Sequence, residues 1–153
     1  MKKSLIVAAS IIVAILVASC CPCRKATNKS SLPLKQTEWR LIQIEGRNIA
    51  PEVVVDGTPR IILADDGSFG GYGGCNSLGG SYRITPSEVP SQKDVAGKIE
   101  LGNVLSTKRM CPNDRLEQEF FGKLATIDSF TIDGNQLFLF SKGELKLLFE
   151  AVK

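Results

Sequence analysis

The chain contains no histidine. That removes the Ser–His and Cys–His arrangements of nucleophilic catalysis and the common zinc ligand sets. Aromatic side chains are few, with one tryptophan and two tyrosines among 153 residues. A strong excess of one charge is also missing: 19 Lys+Arg stand against 16 Asp+Glu, a formal +3. With no basic run beside that balance, nucleic acid is not an expected partner. Only one long hydrophobic run is present, Leu5 to Val17, in which Ser10 alone is polar. It falls short of the roughly 20 residues that cross a bilayer.

What the N-terminus does contain reads as an export signal. Lys2 and Lys3 form a positive start, the apolar run follows, and Val17-Ala18-Ser19-Cys20 ends it with small residues before a cysteine. This arrangement fits a signal peptide, residues 1–19, removed on export. The cysteine at the cut resembles the lipobox of bacterial lipoproteins, so Cys20 is the expected lipid attachment site and the membrane the expected partner through it. One acyl chain binds only marginally, so firm anchoring implies more than one. An ordinary signal peptide that happens to meet a cysteine, or an uncleaved anchor, is the alternative. Removing residues 1–19 leaves 134 of the 153, and the loss of Lys2 and Lys3 takes the side-chain charge from +3 to +1.

Residues 20–34 are polar, basic and without periodicity, and read as a flexible tether. Arg24, Lys25 and Lys29 could touch anionic head groups, although three charges are a weak signal. Cys21, rather than an aspartate, follows Cys20. If the sorting rule of enteric bacteria applies, this favours the outer membrane, with the domain facing the periplasm.

Residues 35–153 then form one domain, large enough for its own core. Short strands dominate it. Trp39, Leu41 and Ile44 open an alternating segment, and Arg60-Ile61-Ile62-Leu63 runs into the turn Asp65-Asp66-Gly67 before Phe69. Tyr82-Arg83-Ile84 and Lys98-Ile99-Glu100-Leu101 flank a long loop, Thr85 to Gly97. A helix is predicted over 113–127, with Asp114 and Glu117 as an N-terminal capping pair and Leu116, Phe120, Phe121, Leu124 and Ile127 on one apolar face. Three meandering strands follow, turning at Asp133-Gly134-Asn135 and Lys142-Gly143. The expected fold is mostly β with one α-helix, a small antiparallel, curled sheet or partly open barrel.

Chemistry-bearing clusters are scarce. Gly70-Gly71-Tyr72-Gly73-Gly74-Cys75-Asn76, continuing to Gly79-Gly80, lacks the Lys-Ser/Thr and the following helix of a phosphate loop. Bends, bulges or close backbone approach explain it better. Asp65 and Asp66 are adjacent and read as a solvated turn, and Glu117 and Glu119 share neither a helical face nor a metal-ligand spacing. No catalytic, cofactor-binding or metal-ligating residue emerges, and no cofactor is expected.

The motifs taken in order resemble a family. Thr37-Glu38-Trp39-Arg40-Leu41 with Ile44-Glu45-Gly46, Gly73-Gly74-Cys75-Asn76 with Gly80-Ser81-Tyr82, Thr107 to Pro112 with Glu117, Glu119 and Phe120, and Ile132 to Leu139 are similar to the META domain of HslJ-like heat-shock lipoproteins. The resemblance covers about residues 35–150. Gln36-Thr37-Glu38 stands where the family usually has a glycine before the tryptophan. The resemblance implies a barrel-like domain with a helix across it and a link to heat and envelope stress, including novobiocin tolerance in one branch. It implies no catalytic residues.

Three functional expectations follow. The first is a non-enzymatic envelope protein acting in stress tolerance through an envelope protein partner. The second is a carrier or sensor of a lipid or other apolar ligand in a half-open barrel. The third, a hydrolase with an unseen site, is disfavoured by the missing histidines. Of the five cysteines, Cys20 is assigned to lipid, and Cys21 and Cys23 lie in the tether. Cys75 and Cys111 alone fall within the domain, where an oxidising compartment favours a bridge between them over two buried free thiols.

Overall fold

The computed structural model describes residues 30–50, 57–89, 92, 95–112 and 114–152. The signal peptide, the lipid site Cys20 and the tether cysteines Cys21 and Cys23 lie outside the described residues. Nine strands and one helix follow in the order β1 (Glu38–Ile44), β2 (Arg47–Asn48), β3 (Arg60–Leu63), β4 (Ser68–Tyr72), β5 (Ser77–Pro86), β6 (Ala96–Ser106), α1 (Arg115–Leu124), β7 (Ser129–Asp133), β8 (Gln136–Ser141) and β9 (Glu144–Ala151).

Every pairing is antiparallel, each strand beside its neighbour in sequence except that β1 reaches across to β3, with β2 a short hairpin return on β1. Strand β9 then pairs with β1, from Trp39 opposite Ala151 to Ile44 opposite Leu147. The ring is therefore closed rather than half-open, and closure removes the edges that an open sheet would leave exposed.

Side-chain alternation explains what fills it. In β1, Trp39 and Leu41 point inward at period two. A bulge between Leu41 and Gln43 then shifts the phase by one, so that Ile44 is also buried. With Leu63, Ile99, Leu137, Leu139, Leu147 and Phe149, these residues form a core in which none is more than 2% exposed. From α1, Phe120 enters this core and meets Phe149 edge-on at 6.2 Å. The axis of the barrel is thus occupied by the protein's own side chains.

Two sequence expectations change. The segment Thr85 to Gly97 is not all loop: Thr85 pairs with Lys98 and Pro86 with Gly97, so β5 and β6 form a long hairpin. Pro86 is tolerated because it closes the strand. The folded unit also begins before residue 35. Leu34 is buried, its carbonyl accepts the Trp39 indole N–H at 3.0 Å, and Leu32 N–H donates to Gly134 O at 2.9 Å. Ser31 Oγ donates to Ile132 O at 3.3 Å and accepts from Gly134 N–H at 3.2 Å.

The registers define two ends. Where the chain enters beside Leu34, the barrel presents the β3–β4 and β7–β8 turns and the tip of the β5–β6 hairpin. The opposite end carries the β1–β2, β4–β5 and β8–β9 turns together with α1.

Candidate functional site

The densest polar arrangement lies at the helix-bearing end. The glycines reach it as strand residues: Gly70 faces Gly79 and Phe69 faces Gly80 across β4 and β5. A Cβ on Gly71 would stand 2.2 Å from Arg60 O, so the ladder to β3 closes only with glycine there. After Tyr72 the chain turns through Gly73 to Asn76, with Gly73 N–H bonded to Asn76 O at 2.8 Å. A Cβ on Gly73 would meet Phe121 Cζ at 2.6 Å and Glu117 Cγ at 2.8 Å, so the turn can lie directly under α1.

Glu117 holds that turn. One carboxylate oxygen accepts the backbone N–H groups of Cys75 at 2.9 Å and Asn76 at 2.5 Å. The other accepts Asn76 Nδ2 at 2.7 Å. Glu117 is 6% exposed, and among the described residues no cation pairs with it. Three N–H donors offset the loss of water around the buried carboxyl group. Asn76 extends the network: its Oδ1 accepts from Thr107 Oγ1 at 2.8 Å and from Arg109 N–H at 2.7 Å. Cys75 and Cys111 are joined by a disulfide with Cα atoms 6.4 Å apart, across 36 residues of sequence.

The expected capping pair is corrected by this geometry. Asp114 stands at the N-cap with helical backbone angles, φ −86° and ψ 0°, and makes no side-chain cap bond. Side-chain capping requires an extended residue there. The Asp114 carboxylate instead accepts from Gln118 Nε2 at 2.6 Å, and Glu117 faces inward to the turn. The helix is also shorter than 113–127, ending at Leu124, with Ile127 buried in the connection to β7. The sequence does hold a signal for Glu117: it lies three and four residues before Phe120 and Phe121, an acid on the apolar stripe.

This arrangement clamps α1 to the turn beneath it. Both carboxyl oxygens of Glu117 accept hydrogen bonds from the turn. Among the described residues no group of three His, Cys, Asp or Glu side chains could hold a metal ion. Glu119 points the other way, to a surface ion pair with Arg47 at 2.6 Å. Asp65 and Asp66 sit in the β3–β4 turn, where the Ser68 hydroxyl and N–H hold the Asp66 carboxyl below its ordinary value. Tyr82 donates to Ala64 O nearby, and burial pushes its phenol up, with Asp65 and Asp66 adding to the effect.

The clamp fixes a surface. Between β6 and Cys111 the backbone is pinned by Asn76 and by Thr107 N–H to Ser77 O at 3.0 Å. The side chains of this segment and of the end of β6 are exposed: Leu105 in β6 is 73% exposed, Met110 is fully exposed, and Lys108 and Arg109 lie between them. At the opposite end, a cleft of about 690 Å³ runs along Pro33, Leu34, Ile84, Pro86 and Phe130.

A closed antiparallel barrel with a clamped helix at one end defines the class, and the comparisons name it. The META domain family matches residues 32–153, and the chain belongs to that family. Three solved structures share the fold. One, a protein from Burkholderia xenovorans solved by NMR, is 25% identical with a TM-score of 0.57, over 78% of this chain and 84% of that one. A DUF4847 family protein from Bacteroides vulgatus is 18% identical with a TM-score of 0.50, over 74% and 90%. A further NMR structure is 17% identical with a TM-score of 0.53, over 76% and 89%. No curated protein matches the chain.

Proposed function

We propose that this protein is a lipid-anchored, non-enzymatic META-domain lipoprotein of the bacterial envelope that supports heat or envelope-stress tolerance through a protein partner. One observation carries the reading: a lipobox-like Val17-Ala18-Ser19-Cys20 stands shortly before a META domain that begins at residue 32. The geometry supports it. The described chain enters at the barrel end opposite α1, so a tether from Cys20 would join the domain at that end. About ten residues between Cys20 and Ser30 reach at most roughly 35 Å. The pinned segment with Leu105, Lys108 and Met110 is then free to meet a partner, as exposed apolar anchors on a fixed backbone do.

Labelling cells with radioactive palmitate tests the anchor. The wild-type protein takes up label, and Cys20→Ser loses it and accumulates unprocessed precursor. Label retained by Cys20→Ser would move the acceptor to Cys21 or Cys23 and refute the assigned cut. The stress role predicts that deletion spares growth in rich medium and raises sensitivity to heat or to large apolar antibiotics. Only the anchored form should then rescue fully.

A second reading, a carrier of an apolar ligand, is favoured by the 690 Å³ cleft beside Leu34 and Phe130. Native mass spectrometry of protein taken from its own membrane separates the two, through a co-purifying lipid or a co-purifying protein.

A further inference from the structure

The face of α1 turned away from the barrel borders a cleft of about 810 Å³, whose other wall is the β8–β9 hairpin. Three features of it are not explained by the fold. Gly122 lies inside α1, where glycine costs roughly 0.5–1 kcal/mol relative to alanine. A Cβ there would find nothing within 4 Å, so packing does not require the glycine. What it provides is open floor in the cleft.

Ser141, on the opposite wall, is only 7% exposed, yet its hydroxyl has no hydrogen-bond partner among the described residues. No fully enclosed side-chain oxygen or nitrogen is left unbonded among the described residues, so this hydroxyl opens onto the cleft. Lys142 is the third feature. Of the lysines lining the cleft, Lys123 is paired with Glu45 at 2.8 Å, and Lys146 with Glu45 at 3.0 Å and Glu144 at 2.8 Å. The Lys142 ammonium makes no ion pair among the described residues. It acts on Asp128 only at longer range, through its charge, and the carboxylates around it hold closer partners. Asp128 accepts Lys142 N–H and Ser129 Oγ, each at 2.6 Å, Glu144 is held by Lys146, and Glu119 by Arg47. The cleft therefore offers one cation outside any close ion pair, one unbonded hydroxyl and a floor without a side chain.

We propose that this cleft binds a small organic carboxylate, its anionic group at the Lys142 ammonium and a neighbouring hydroxyl or amide of the ligand at Ser141. Sugar acids and the carboxyl terminus of a short peptide share this chemistry. Charge-assisted bonds give the carboxylate its preference, and the missing side chain at Gly122 lets the ligand lie against the helix backbone.

The test uses the full chain in detergent micelles, followed by backbone amide NMR. Glucuronate and N-acetyl-alanyl-alanine are the probes, with glucose and the C-terminal amide of the same dipeptide as controls. Saturable shifts at Gly122, Thr126, Ser141 and Lys142 with an acid, at millimolar or lower concentration, are expected. The neutral controls should bind about tenfold more weakly or worse. A response to glucuronate alone identifies a sugar acid, and a response to the dipeptide alone a peptide terminus. Lys142→Asn removes the cation while tolerating the left-handed backbone at φ 53°, and should weaken binding by about tenfold. Gly122→Trp should fill the floor and abolish the shifts while the remaining amide spectrum stays native. Absence of saturable shifts with both acids, equal response to acids and controls, or undiminished binding in Gly122→Trp would overturn the assignment.

Discussion

The two ends of this barrel are secured by different means. At the end where the chain enters, an apolar plug does the work: Leu34 is buried and the Trp39 indole, 0% exposed, donates to its carbonyl. At the other end the helix is held by polar and covalent links, through Glu117, Asn76 and the Cys75–Cys111 disulfide. Burial of apolar area is non-directional, whereas hydrogen bonds and disulfides fix geometry. The entry end combines apolar burial with hydrogen bonds, among them those to the carbonyls of Leu34 and Gly134, and holds no disulfide among the described residues. The helix end presents Leu105 to Met110 in one fixed arrangement.

Breaking each end separately should show this difference. The largest effect belongs to Trp39→Ala, which empties the core at the entry end and should cost about 4 kcal/mol in urea unfolding, with loss of the whole barrel. Replacing Cys75 and Cys111 together by alanine should cost about 3 kcal/mol, a value within the range for closing a loop of this size. The melting temperature falls, and the β-rich circular dichroism at room temperature is retained. A double variant as stable as wild type would mean that Glu117 alone holds the helix end. Gly122→Ala should act in the opposite direction, raising stability by about 0.5–1 kcal/mol, because the helix gains propensity and no contact is crowded.

The smallest effect is the pH dependence of the surface network beside the helix. Bonds from Lys123 and then Lys146 lower the Glu45 carboxyl from 4.5, and Lys146 lowers Glu144. Their contribution is present above the unfolded value of 4.5 and is lost as pH falls below it through the lowered folded value. Bonds to Glu144 and Glu45 raise Lys146 above 10.5, so its contribution is present below 10.5 and is lost as pH rises through the raised value. A Glu45→Gln variant should show a flatter acid limb in melting temperature against pH.

Much of the barrel was legible in the sequence. Period-two burial in Arg60–Leu63 and the turns at Asp66-Gly67, Gly134 and Gly143 follow local steric rules. Closure was not, because the pairing of Trp39 with Ala151 joins the two ends of the domain sequence. The extra residue at Ile42, which brings Ile44 inside, also depends on that pairing. The Cys75–Cys111 link could be reached from compartment and position. The role of Glu117 was masked, despite its place on the apolar stripe, because a local capping rule offered an adequate partner in Asp114. The buried N–H groups that take Glu117 lie 41 and 42 residues away. The unpartnered hydroxyl of Ser141 and the open floor at Gly122 are likewise properties of two walls meeting, not of either segment.

Amide hydrogen exchange in wild type and Glu117→Gln, read residue by residue, tests most directly whether the helix end is held by its polar clamp. The substitution replaces one carboxyl oxygen by an amide NH2, which cannot accept, so either the paired Cys75 and Asn76 N–H groups or Asn76 Nδ2 lose their acceptor and the clamp opens. The account predicts that Cys75 and Asn76 amides, protected in wild type, exchange far faster in the variant along with those of Thr107 to Cys111. Amides of β1 and β9 around Trp39 should keep their protection. Unchanged protection at Cys75 and Asn76, or equal loss at both ends of the barrel, would contradict it.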